Sequence, residues 1–93
     1  MVVGFLTMGL RLPGICSLKE KRSVLRRLIA RIRQRFNVSV AEAGKQDKWQ
    51  ASVLTIVCVS ANAALAHRQL EQVLSFVEQD GSIMITDTNL EIL

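Results

Sequence analysis

The sequence predicts an α+β domain in the order β-α-β-β-α-β, a four-stranded antiparallel sheet carrying two helices on one face. Three observations lead there. Two segments place apolar residues at helical spacing behind capping residues, four short segments are rich in β-formers, and turn residues separate them. The chain of 93 residues suffices for one domain, residues 1–93, around a single core. Its hydrophobic content of 49% excludes a disordered, solvated tail.

Residues 2–12, VVGFLTMGLRL, are too few for a helix before Pro13-Gly14 and read as the first strand. Ser17 with Glu20 three residues later is a capping box, which starts a helix there. Leu18, Leu25, Leu28, Ile29, Ile32 and Phe36 recur at helical spacing as one buried stripe, and Asn37 suits a left-handed stop. NVSVAEA, residues 37–43, reads as the second strand and GKQDK as a turn. WQASVLTIVCVS, residues 49–60, is the third and most continuously apolar strand. Ser60 or Asn62 caps a second helix, with Ala66, Leu70, Val73, Leu74 and Val77 on one face and Gly81 at its C-terminal cap. SIMITDTNLEIL, residues 82–93, is the last strand. This order is the split βαβ, or ferredoxin-like, arrangement, and right-handed crossovers put the first and third strands in the middle of the sheet.

A sheet covered on one face should alternate apolar with polar residues. The first strand instead offers Val2, Leu6, Met8 and Leu10 on one side and Val3 and Phe5 on the other. The third offers Leu54, Ile56 and Cys58 against Ala51, Val53, Val57 and Val59. Two helices cover only one side, so a homodimer through the open face is expected.

The net charge of +4 conceals an asymmetry: residues 1–36 carry nine Lys or Arg and one acid, and residues 37–93 carry three and seven. Such polarity marks a basic surface for an anionic partner. On a helical wheel centred on Leu25, Lys19, Arg22, Arg26 and Arg33 form one flank of the first helix, and Arg27, Arg31 and Arg35 the other. Like charges at i,i+4 spacing oppose the helix, and Glu20 is the one acid within it. The cations also begin early, at Lys19, Lys21 and Arg22, where the positive end of the helix dipole disfavours them. An external anion would compensate, and arginine suits bidentate phosphate contacts. The expected nucleic-acid contacts are therefore Arg11, Lys19, Lys21, Arg22, Arg26, Arg27, Arg31, Arg33 and Arg35. Gly14 and Ser17, in the turn before the helix, form a candidate phosphate site with the free N–H groups of the helix start.

Other chemistry is weakly represented. Cys16 and Cys58 stand far apart without metal-ligand spacing, so neither a disulfide nor a metal is expected. Cys16 beside cations has the setting of a reactive thiolate, but no partner group accompanies it in sequence. His67 reads as a surface histidine. Trp49 is a stacking candidate for a base, although the expectation is that it anchors the hairpin. Asp47 and Glu42 do not form a convincing carboxylate pair. No GxxxxGK[ST] or GxGxxG occurs, no RNA-recognition-motif pattern of strand aromatics is present, and the loop before the first helix does not match an acylphosphatase phosphate loop. We therefore expect no catalysis and no cofactor. The opening segment has no basic leader pattern, and its uncharged run is about half of what spans a bilayer, so a cytoplasmic protein is expected. The apolar stripe of the first helix is needed for the sheet and leaves little to insert into lipid.

The blocks RLPGICSLKEKRSVLRRL and RFNVSVAEAGKQDKWQ, with Asp47 and Trp49 at the end of the second, resemble the YlxP-like bacterial family, a domain of unknown function (number 503). The resemblance extends over essentially the whole chain. It implies a ferredoxin-like fold and a bacterial cytoplasmic protein, often encoded beside translation and ribosome-maturation factors; it implies no catalytic residues. The expectation is a small non-enzymatic module that binds RNA or a ribosomal particle through the basic helix. The alternative is a dimeric regulatory module that takes a small metabolite or an acidic protein partner.

Overall fold

A computed structural model describes residues 1–93. Six elements follow one another: β1 Val2–Arg11, α1 Leu18–Arg35, β2 Ser39–Gly44, β3 Ala51–Ser60, α2 Ala63–Glu78 and β4 Met84–Ile92. All strand pairs are antiparallel and the sheet order is β2-β3-β1-β4, with β1 and β3 central as expected. The fold is the ferredoxin-like α+β arrangement.

One face of the sheet holds the core. Leu6, Met8 and Leu10 of β1 and Leu54, Ile56 and Cys58 of β3 are buried there. They pack with Leu25, Leu28 and Ile32 of α1 and with Ala66, Leu70, Val73 and Val77 of α2. Gly4 allows α2 to come this close, since a Cβ there would lie 2.9 Å from Leu70 Cδ1 and 3.1 Å from Cys58 Sγ. On the opposite face Val3, Phe5, Val53 and Val57 are half-buried and Val59 is 61% exposed, with no layer over them.

The ends of the elements differ in detail from the sequence reading. Ser17 caps α1 through Oγ, which accepts the Glu20 N–H at 3.1 Å. The reciprocal bond goes one residue further back than in a standard capping box, from Cys16 N–H to Glu20 Oε2 at 3.2 Å. Asn37 does not stop the helix in a left-handed conformation. Phe36 is already extended, and Lys45 is the non-glycine residue with positive φ. The Phe36 ring meets Phe76 of α2 edge-on at 5.7 Å, so chain exit is set by that packing rather than by a left-handed cap. Asn62, not Ser60, caps α2, with Oδ1 accepting the Leu65 N–H at 3.0 Å.

Gly81 is not in the left-handed region either. The turn after α2 is instead organised by Asp80, whose Oδ1 accepts both the Ser82 N–H at 3.0 Å and the Ser82 hydroxyl at 2.7 Å. Trp49 and Gln50 precede β3 rather than starting it, and β2 is shifted to later residues than expected. The register of β4 against β1 breaks between Gly9 and Leu10. Gly9 leaves the space there for the side chains of Thr86 and Asp87.

Candidate nucleic-acid interface

The early cations of α1 separate into two kinds. Lys19 and Arg22 are exposed, whereas Lys21 is only 1% exposed. Its ammonium donates to Lys45 O at 2.6 Å and pairs with Glu42 Oε2 at 3.0 Å. Glu42 is held in turn by the Ser52 hydroxyl at 2.7 Å. Lys21 is thus withdrawn from the expected phosphate contacts and serves as an internal tie between α1 and the β2–β3 loop. The reason is rotational: one turn before Leu25, residue 21 falls inside the buried stripe.

The two expected flanks exist, but with different surroundings. Arg22, Arg26 and Arg33 line a groove of about 350 Å³ between α1 and the edge strand β2, floored by Leu25, Ile29 and Ala30 and reached by Glu42. Arg33 Nη2 donates to Val40 O at 3.0 Å, which covers part of the open edge of β2 while leaving the guanidinium charge unneutralised.

Arg27, Arg31 and Arg35 face α2. Arg31 Nη1 lies 3.5 Å from Asp80 Oδ2, and the Arg31 and Arg35 guanidinium carbons stand 5.2 and 5.4 Å from the centre of the Phe76 ring. The Ser82 hydroxyl and N–H hold the Asp80 carboxyl below its ordinary pKa, and Arg31 and Arg27 add to that against the opposing effect of burial. So one acid from α2's end compensates part of this flank, a partner invisible in helical spacing alone.

At the turn before α1, the Cys16 and Glu20 N–H groups are already engaged by side chains. Gly14 takes φ +82°, Ser17 Oγ caps the helix, and the Glu20 carboxylate already accepts from Cys16 N–H at the helix start. Cys16 is exposed, and its thiol points to Gly14 O at 3.4 Å. Arg11 is separated from the helical arginines. It lines a cleft with Lys45, Lys48 and Trp49 at the end of the sheet, two cations that the helix-centred reading passed over. Trp49 is 53% exposed and stands outside the hydrophobic core, so it does not anchor the hairpin. His67 is exposed and lies 3.6 Å from Glu71. No group of three or more His, Cys, Asp or Glu side chains converges as a metal site, and no helix is long and apolar enough to cross a membrane.

Comparison with known proteins covers nearly all of this framework. Residues 3–90 match the profile of a family described as protein of unknown function (DUF503). The uncharacterized protein YlxP of Bacillus subtilis (strain 168) is 41% identical over 75 residues, which span 81% of this chain and 82% of that protein. Among solved structures, a variant of SnoaB, a cofactor-independent oxygenase from Streptomyces nogalater, aligns with a TM-score of 0.49 and 17% identity. That alignment covers 99% of this chain and 90% of the other, and resemblance at this level carries no functional argument. On the profile match and the identity to YlxP together, the chain belongs to the DUF503 family.

Proposed function

We propose that the protein is a small cytoplasmic module that binds RNA, free or in a ribosomal particle, through the exposed arginines of α1. One observation carries the reading: Lys19, Arg22, Arg26, Arg27 and Arg33 are all exposed, and none lies within ion-pairing distance of a carboxylate. Arginines unpaired within the molecule are positioned to release counterions from a polyanion. Arg31 and Arg35, engaged with Asp80 and Phe76, contribute less and serve to fix that flank.

Contact with about five phosphates gives a log–log salt slope near −3.5 for a single strand and near −4.5 for a duplex. The test replaces Arg22, Arg26, Arg27 and Arg33 with Glu and measures binding to labelled RNA by fluorescence anisotropy across salt. Loss of binding with an unchanged circular dichroism spectrum is expected. Equal affinity in the folded variant would overturn the reading. Retained binding that ignores salt would favour a metabolite or an acidic protein partner.

Self-association through the open sheet face is a separate part of the proposal, with a second copy of this chain as the occupant. The support is the pairing of Val3 with Val59 and of Phe5 with Val57 across β1 and β3, with Val53 opposite Gly9 further along and no charge among them. Strands of 10, 6, 10 and 9 residues, at about 3.3 Å per residue and about 4.8 Å between strands, present roughly 550 Å² per copy. A standard interface takes about 800 Å² per partner, so the dimer is expected to be concentration-dependent.

A further inference from the structure

The cleft at the β2–β3 loop lies apart from the α1 arginines and combines features that they lack. It measures about 550 Å³ and is walled by Arg11, Lys45, Lys48, Trp49, Gln50 and Thr86. That volume is within the range of small-molecule sites, roughly 300–1,000 Å³. Arg11, Lys45 and Lys48 are exposed and form no ion pair, although Asp47 is in the same loop. Asp87, the other nearby acid, accepts the Thr86 hydroxyl at 2.8 Å. Trp49 presents a half-open indole to this cationic surface.

The loop that holds Trp49 is tied down more firmly than an idle surface turn requires. Lys45 sits at φ 55°, a left-handed conformation that disfavours a side chain bearing Cβ. Its carbonyl receives the buried Lys21 ammonium at 2.6 Å and the Lys48 N–H at 3.1 Å. Gln50, on the other side of Trp49, donates through Nε2 to Ile15 O at 3.1 Å, and its carbonyl accepts the Leu12 N–H at 2.9 Å. Four hydrogen bonds, one of them from a buried ammonium, thus fix the two ends of a short segment whose aromatic side chain is itself left in water. Strain retained at such a point is a feature of binding sites, where a pre-set surface lowers the cost of ordering on association.

We propose that this cleft takes one unpaired nucleotide of single-stranded RNA, the base stacked on Trp49 and its phosphates held by Arg11, Lys45 and Lys48. A flat π-face beside three unneutralised cations matches a base with its phosphodiester, and is wasted on an inorganic anion or on an apolar peptide. The proposal extends the RNA-binding reading to a second surface, and it adds selectivity for unpaired over duplex RNA that a row of arginines alone does not give.

The assay is unusually direct because Trp49 is the sole tryptophan and the chain has no tyrosine, so intrinsic emission reports on this cleft alone. Emission is titrated with hexauridylate, uridine monophosphate and inorganic polyphosphate, and labelled hexauridylate and an RNA duplex are followed by anisotropy. Quenching by hexauridylate but not by polyphosphate is expected. Trp49→Ala should weaken hexauridylate by about fivefold to a hundredfold, as loss of one stacked base does, with duplex affinity within about twofold of the parent. Trp49→Phe should recover part of the loss.

Hexauridylate that binds by anisotropy without quenching, or equally well to Trp49→Ala, would overturn the cleft proposal and leave the α1 reading intact. Quenching by uridine monophosphate with no gain for hexauridylate would reassign the cleft to free nucleotides. Conversely, duplex affinity that survives reversal of the α1 arginines while hexauridylate still quenches Trp49 would overturn the α1 reading alone.

Discussion

Replacing Lys21 with Met tests the interior tie between α1 and the β2–β3 loop. Methionine keeps the length of the side chain inside the protein and removes its charge and three donors. Two contacts are lost, to Lys45 O at 2.6 Å and to Glu42 Oε2 at 3.0 Å. Breaking a buried ion pair from one side costs about 3–5 kcal/mol, because the remaining charge is stranded. Glu42 is 22% exposed and keeps its Ser52 hydrogen bond, so water relieves part of that cost. The bond to Lys45 O is charge-assisted and itself worth about 1.5–3 kcal/mol. A loss of about 2–4 kcal/mol follows, a large share of the roughly 5–15 kcal/mol that holds a domain together. With a urea m-value of about 1–3 kcal/mol/M, the midpoint should fall by about 0.7 M or more, followed by far-ultraviolet circular dichroism. Lys21→Met/Glu42→Met should be less destabilised than the sum of the single variants, since neither charge is then left alone. A shift of less than about 0.5 kcal/mol in Lys21→Met, the size of an ordinary surface change, would refute the assignment of Lys21 as an interior tie.

Val57→Asp places a charge in the middle of the open sheet face and should shift sedimentation toward a monomer with little change in helix content; an unaltered concentration dependence would rule that face out. Asp80→Ala should lower the urea midpoint at pH 7 by more than at pH 3. The folded carboxyl titrates below its ordinary value of 3.8, so its stabilisation is complete above about pH 5 and fades as pH falls through 3.8 toward the folded value. A gap between Asp80→Ala and the parent that stays constant with pH would contradict this. Gly4→Ala should cost about 1–3 kcal/mol in urea unfolding, because the new methyl meets Leu70 and Cys58 at 2.9 and 3.1 Å.

Element order and the buried stripes were legible because they rest on periodicity, which a single chain displays in full. The caps at Ser17 and Asn62 were legible for the same local reason, with Ser60 the competing choice at the second. What the sequence hid were partners brought from a distance. Asp80 stands 49 residues from Arg31, so the flank that looks uniformly basic along α1 is partly neutralised by a turn after α2. Asn37 and Gly81 were read as left-handed stops from residue type. Tertiary contacts, Phe36 on Phe76 and Asp80 on Ser82, decided both ends instead. Lys21 lies one turn before Leu25, which puts it in the core stripe although its charge suits an exposed contact. Lys45 and Lys48 stand close to Trp49 in sequence, but in a loop where no helical periodicity marks them.

The burial of Lys21 also changes what the basic start of α1 means. Of the three early cations only Lys19 and Arg22 face water, and Lys21 spends its charge on the loop that carries Trp49. Leu12 with Gln50, Gln50 with Ile15, and Lys21 with Lys45 join the α1 entry turn to the Trp49 loop at one end of the molecule. Glu42 takes part in the Lys21 pair and also reaches the groove of Arg22, Arg26 and Arg33. The groove and the cleft are therefore connected through a single Lys21–Glu42 junction. On the proposed reading, a strand long enough to span both would bring the two surfaces onto one RNA. Trp49→Ala combined with reversal of Arg22 and Arg26 should then lose more hexauridylate affinity than either change explains on a separate site, because the second contact benefits from the effective concentration set by the first. Strict independence of the two losses, measured by anisotropy at fixed salt, would separate the surfaces into two unrelated sites.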